Sequence, residues 1–317
     1  MPFTLSHAAA VLPVVRADGT GRGRLVPAVL VAGSFAPDLT YYAASVRSGA
    51  MEFGDVTHSF PGVFTVDVLV AWALVGFWLL VREPLVALLP RTRQGRTAAL
   101  TRCGAPRARA RPATVLWWYL SAALGALTHV VWDAFTHLDR WGMRLFPVLG
   151  ENVAGSPLYW YLQYGGSAVA AVALVVFVTH ALRRIPAGEP AGVPALSVRD
   201  RLRAGAVIGG CALVAAVLRA TRWWEYRGRA AKPWELIPTL CFGAGAGLVL
   251  GVLLHAVAVR LWRPARPDPP SGVSGVSASS GVSASSEVPG SAAGPGARAG
   301  ERDPERVSVR RSRPGVR

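Results

Sequence analysis

Lysine is nearly missing from this chain. Lys232 is the only one among 34 basic residues, so arginine carries almost all of the positive charge. Cysteine is scarce as well: Cys103, Cys211 and Cys241 are the only three, and no CxxC spacing occurs. That excludes a zinc–thiolate site and a disulfide framework, and thiols within apolar stretches act as small hydrophobes. Charged residues make up only 16% of the chain against 52% hydrophobic, and the mean hydropathy is +0.35. An ordinary soluble domain of 317 residues is excluded, and an integral membrane protein is implied. No basic residue precedes the apolar run that begins at Phe3, so the start does not read as a secretory signal and belongs to the mature fold.

The net charge of +16 raises the question of nucleic acid. The arginines, however, lie between apolar stretches and in the tail, where they set topology and attract anionic lipid headgroups; no nucleic-acid partner is expected. Five stretches reach the roughly 20 apolar residues that a bilayer crossing needs: 63–81, 114–135, 164–182, 204–220 and 237–259. Two weaker ones precede them, 3–15 and 26–44, the first short enough to be tilted or re-entrant. The expected fold is therefore an all-α, multi-pass transmembrane helical bundle of about six or seven membrane segments. It occupies residues 1–262, and a disordered Pro/Gly/Ser/Arg-rich tail occupies 263–317, where the hexapeptide GVSASS occurs twice in succession.

Segment 82–111 holds eight arginines and 183–203 holds five, whereas 45–62 and 138–163 hold one and two. The positive-inside rule places the arginine-rich loops, the first loop with Arg16, Arg22 and Arg24, and the C-terminus in the cytoplasm of a cell-membrane protein. The loop 222–235 is the misfit. It is expected outside, yet it carries Arg222, Arg227, Arg229 and Lys232; its Trp223, Trp224, Tyr226 and Trp234 suggest an interfacial segment.

Histidine and aspartate are few, and their placement is informative. GALTHVVWDAFTH (125–137) sets His129, Asp133 and His137 four residues apart inside an apolar segment. On a helix they form one stripe about 12 Å long. Ionisable groups in a membrane span usually face a protein interior or a wet cavity and have a function. With the topology above, Asp38, His58 and Asp67 fall in the same outer half, and His7 lies deeper if 3–15 is a straight helix. His180 and His255 fall near the opposite, cytoplasmic ends and read as helix-end histidines. Imidazole and carboxylate are the ligands of zinc and other first-row divalent metals, manganese among them. A catalytic metal keeps an open position and lowers the pKa of bound water, which suits hydrolysis of an ester or phosphoester. Other readings stay open at this point: a hydrogen-bonded pair that glues helices in a non-catalytic scaffold, an ion or metal transporter, loop or cap roles for His7, Asp38, His58 and His137, and an orienting or packing role for Asp67.

The ordered motifs TLSH (4–7), APD (36–38), THS (57–59) and LGALTHVVWD (124–133) resemble the bacterial inner-membrane family of membrane-bound metal-dependent hydrolases, closest to a branch whose members begin MPFTLSH. That resemblance implies a helical multi-pass protein with a His/Asp site in which His7, Asp38, His58, His129 and Asp133 are metal ligands, with Asp67 or His137 left to orient water or move a proton. The enzymatic reading expects a lipid-like or envelope-associated substrate. The His-x3-Asp step is similar to the helix of secreted zinc phospholipases C, which points to phosphoester chemistry.

Overall fold

The computed structural model describes residues 3–47, 49–106, 111–189, 191–228 and 236–262. The expected tail at 263–317 and the loop residues 229–235 lie outside them. A 3₁₀ helix, Thr4–Val14, comes first. It is followed by α1 (Pro27–Phe35), α2 (Leu39–Ala43), α3 (Gly54–Thr57), α4 (Phe60–Phe64), α5 (Val66–Ala87), α6 (Arg91–Cys103), α7 (Pro112–Ala134), α8 (Trp141–Leu145), α9 (Leu158–Arg184), α10 (Val198–Arg227) and α11 (Leu236–Trp262). The extended backbone among the described residues is a two-residue ribbon, Asn152–Val153 with Ser156–Pro157, and a single bridge between Val15 and Gly21. The fold is all-α.

α5, α7, α9, α10 and α11 are long and apolar enough to cross a membrane. They correspond to the five strong apolar stretches. Their local signals are conventional. Pro112 occupies the first turn of α7, where its missing N–H costs nothing. Ser197 and Asp200 close a reciprocal capping box at the start of α10, which lets that helix begin inside an arginine-rich segment. The two weaker stretches behave differently. Segment 26–44 does not form one helix: Pro37 lacks an amide proton, and Ala36–Asp38 tightens into a 3₁₀ turn between α1 and α2. Segment 3–15 is 3₁₀ instead of α. His7, expected deeper than the other site residues if this segment were a straight helix, lies level with His129, on which its ring stacks.

α1 packs on α7 and α5 around Val29, Ala32, Ala36, Val68, Ala71 and Ala122. The first 3₁₀ helix lies against α9, α1 and α7, with Val11 and Val15 on Leu30. α10 and α11 run antiparallel and touch along Gly243, Gly247 and Gly251; a Cβ on Gly247 would meet the Cys211 carbonyl oxygen at 2.1 Å. Small residues every fourth position let two helix backbones approach where lipid supplies no hydrophobic drive between them. Gly247→Leu is expected to destabilise the protein by about 1–3 kcal/mol through overpacking. It would be read as a lower melting temperature in detergent, and an unchanged melting curve would show that this stripe does not hold the pair.

Outward faces of α9, α10 and α11 leave Val169, Val172, Val176, Leu213, Val214, Leu250 and Leu254 exposed. Apolar surface of that extent on long helices fits a lipid bilayer. The polar ends of the bundle differ. α6 lies within the segment 82–111, and Arg102 on it donates two hydrogen bonds to Glu83 and one to the Ala191 carbonyl. Gly95 of α6 abuts Gly188, and the first loop reaches the same end, where Ala28 N–H donates to the Gly104 carbonyl. The loops expected to share one membrane face thus meet at one end of the bundle. α4, which leads into α5, the end of α7 and the start of α9 meet at the other.

Candidate metal centre

That second end carries the histidines and aspartates. His129 and Asp133 lie one turn apart on the last turns of α7, both buried. α1 approaches α7 so closely that a Cβ on Gly125 would meet the Leu30 carbonyl oxygen at 2.2 Å, and one on Gly33 would meet that of Ala122 at 2.3 Å. The approach carries the Ser34 carbonyl to 2.7 Å from His129 Nδ1, which donates to it. Pro37 ends α1 just beyond, so the chain turns and Asp38 points back toward α7. Thr57 Oγ1 donates to the Pro37 carbonyl at 2.8 Å and ties α3 to this turn. His58 follows as the α3 C-cap, its Nδ1 donating to the Gly54 carbonyl at 2.9 Å. Ser59 then caps α4, accepting from the Gly62 amide. Thr4 Oγ1 donates to Asp38 Oδ2, which leaves Asp38 Oδ1 facing the histidines.

The result is a four-donor group of Asp38, His58, His129 and Asp133, with one ligand atom from each lying within 4.8 Å of the others. His58 Nε2 is 3.7 Å from Asp38 Oδ1 and 3.7 Å from Asp133 Oδ2. His129 Nε2 is 3.5 Å from Asp38 Oδ1 and 3.3 Å from Asp133 Oδ2. These separations are long for charge-assisted hydrogen bonds, which run about 2.7–2.9 Å, and His129 Nε2 has no hydrogen-bond partner. Those four His–Asp edges are of the length found between donors that each lie about 2.0–2.3 Å from a shared ion, the reach of zinc to nitrogen and oxygen ligands. Both imidazoles spend their Nδ1 proton on a backbone carbonyl, which turns a lone pair at Nε2 toward the group, as in metal-ligating histidines generally. Two carboxylates and two neutral imidazoles balance the charge of a divalent ion. The group could hold a metal ion.

The remaining residues singled out by sequence divide. His7 is fully buried and stacks on His129, ring centroids 3.6 Å apart; its Nε2 lies 3.5 Å from Asp133 Oδ1. His137 sits just past α7 with its Nδ1 3.5 Å from the same oxygen, and it is the half-exposed member at the rim. Burial holds its imidazole well down, to about 4, against the pull of Asp133. Asp67 is buried at the start of α5, which packs on the Ala36–Asp38 turn; neither of its oxygens accepts a hydrogen bond and no histidine pairs with it. His180 is exposed, and His255 donates to the Pro84 carbonyl toward the arginine-rich end; neither joins the group. Sequence reasoning did not find the carbonyls of Ser34 and Gly54, the Tyr41 ring 5.6 Å from that of His58, or the Gln163 amide 2.9 Å from His137 Nε2. Thr4 was visible only as part of a motif.

Fold and site together define a helical membrane-type protein with a buried His/Asp centre at one end of its bundle. Residues 1–257 match the model of a family described as Domain of unknown function (DUF4184), and the chain belongs to that family. No curated protein and no solved structure matches it.

Proposed function

We propose that this protein is a metal-dependent hydrolase of the cell membrane that acts on an ester or phosphoester of a lipid-like or envelope substrate. The observation that carries the reading is the set of imidazole–carboxylate separations of 3.3–3.7 Å, longer than charge-assisted hydrogen bonds and suited to donors that share a cation. When bound, zinc, or manganese in its place, supplies Lewis acidity and lowers the pKa of water toward about 7. Asp38, His58, His129 and Asp133 hold it, with His7 as a further ligand toward Asp133 Oδ1. Thr4 and the Ser34 and Gly54 carbonyls fix the orientation of those ligands. His137 at the rim and Asp67, buried without a partner, are the groups left to hold or move a proton.

Exposed Phe53, Val56 and Phe60 on either side of His58 give the rim an apolar surface suited to an acyl chain. The arginine-rich end faces the cytoplasm by the positive-inside rule, so the centre opens on the extracytoplasmic side. Metal analysis of the purified full chain, prepared with ample zinc, tests the reading; fewer than about 0.1 ions per chain would end it, since four nitrogen and oxygen donors keep a real site well filled. A second assay follows turnover of bis(p-nitrophenyl) phosphate and p-nitrophenyl acetate. Asp67→Asn is expected to keep the ion and the fold but to lower turnover by about 10²–10⁴. Unchanged turnover would remove Asp67 from the chemistry.

A further inference from the structure

Arg219 is a half-buried guanidinium on α10, a helix long and apolar enough to cross a membrane. Its Nη1 donates to the Tyr41 carbonyl at 2.7 Å and to Ser45 Oγ at 2.6 Å, and its Cζ lies 5.6 Å from the centre of the Phe242 ring. No carboxylate pairs with it among the described residues. Its Nε and Nη2 make no hydrogen bond there, yet neither is sealed from the surface. A charge kept on a spanning helix is costly and generally has a function. Tying α10 to the end of α2 uses one nitrogen and leaves the other two over.

Tyr41 connects this guanidinium with the metal centre. Its backbone carbonyl holds Arg219, while its ring lies 5.6 Å from that of His58 and packs between Gly54 and Phe242. Three residues further along α10, exposed Arg222 reaches the Ser45 carbonyl at 3.4 Å. Arg222 opens the stretch 222–235, whose basic residues run against the positive-inside rule, because α10 finishes at the end of the bundle that carries the centre. Positive charge set there against the topology has a use if it meets an anion.

We propose that Arg219, assisted by Arg222, binds the phosphate of an anionic lipid whose ester or phosphoester bond is presented across Tyr41 to the metal centre. The proposal rests on the hydrolase reading above and narrows its substrate to lipids with a phosphate beside the bond that is cut. Nε and Nη2 form one edge of the guanidinium, and that fork matches two phosphate oxygens. Phe242 backs the guanidinium face and helps to hold its plane. The apolar rim at Phe53, Val56 and Phe60 is left for the acyl chains. Arg219 acts here in substrate selection and takes no part in the chemical step.

The full chain in non-ionic detergent, loaded with zinc, is titrated calorimetrically with dihexanoyl phosphatidic acid, dihexanoylglycerol and inorganic phosphate, and the zinc in the same samples is counted. Wild type is expected to bind phosphatidic acid at least about 10-fold more tightly than either of the others, as a hydrogen-bonded charge pair warrants. Arg219→Gln, which keeps a polar group for the Tyr41 carbonyl, is expected to weaken phosphatidic acid by about 10–100-fold and to leave diacylglycerol unchanged. Arg222→Gln, an exposed change that spares the fold, is expected to weaken it by about 2–5-fold. A wild type without the preference, or a preference that survives both substitutions, overturns the subsite and leaves the metal centre standing. Inorganic phosphate bound as tightly as phosphatidic acid overturns the lipid as its source. An Arg219-dependent preference in protein that holds no zinc ends the hydrolase reading, and with it the role of this lipid as substrate.

Discussion

His129→Ala is expected to lower zinc affinity by more than about 100-fold, because changes to residues that merely support a ligand already cost about 10–100-fold. His129 lies against every part of the centre. It is within 3.5 Å of both carboxylates, stacks on His7, and receives the α1 backbone through Ser34. Titration calorimetry on the metal-freed protein would read the loss, and circular dichroism would report whether the helices persist. The opposing view is a polar cluster that only packs helices. It predicts that zinc does not shift the melting temperature of the wild type and that His129→Ala melts lower whether or not zinc is present. A cation bound to the native state alone raises the melting temperature in proportion to its concentration over its Kd. A wild type whose melting temperature does not respond to zinc would therefore refute the metal centre.

Gly125→Ala should be nearly as damaging although it adds a single methyl group whose nearest neighbours are all α1 backbone atoms. That methyl has nowhere to go: the Leu30 carbonyl oxygen, which is backbone and cannot rotate aside, stands 2.2 Å from its position. α1 must back away from α7, and Ser34 and Asp38 move with it. A loss of about 1–3 kcal/mol from overpacking is expected, together with a fall of about 10–100-fold in zinc affinity as His129 loses its orienting carbonyl. Gly76→Ala is the matched control. It lies in α5 with open space around its Cβ position, and alanine there should be neutral or slightly stabilising. Equal melting temperatures and zinc affinities for the two variants would show that close approach of α1 does not build the site.

Much of this was legible in the chain because it is local. The five long helices follow from uninterrupted apolar length, and the His129–Asp133–His137 stripe follows from helical spacing. The ends at which arginine-rich loops gather follow from alternation of direction. What was not legible depends on pairing between distant segments. Nothing in TLSH announces a 3₁₀ helix; it forms against α9, α1 and α7, and that packing brings His7 onto His129. Pro37 signalled a turn, but that the turn swings Asp38 back toward α7 depends on Gly33 and Gly125 meeting across two helices. The arginine-rich stretch 91–103 lacks an apolar face and reads as loop, yet it is helical as α6, with Arg102 anchored on Glu83. Carbonyl partners such as those of Ser34 and Gly54 carry no side-chain signature at all.

The stacking of His7 on His129 also fixes an order of events during synthesis. These residues are 122 positions apart (129 − 7) in the chain, so at about 5–20 residues per second the ribosome completes the second on the order of 10 s after the first. Throughout that interval the leading segment has neither its stacking partner nor Asp133, and from residue 58 onward the group has two of its four donors, Asp38 and His58. Any cation that the group accepts is therefore bound after α7 has been made, and until then the nascent protein keeps two imidazoles and a carboxylate without their final companions.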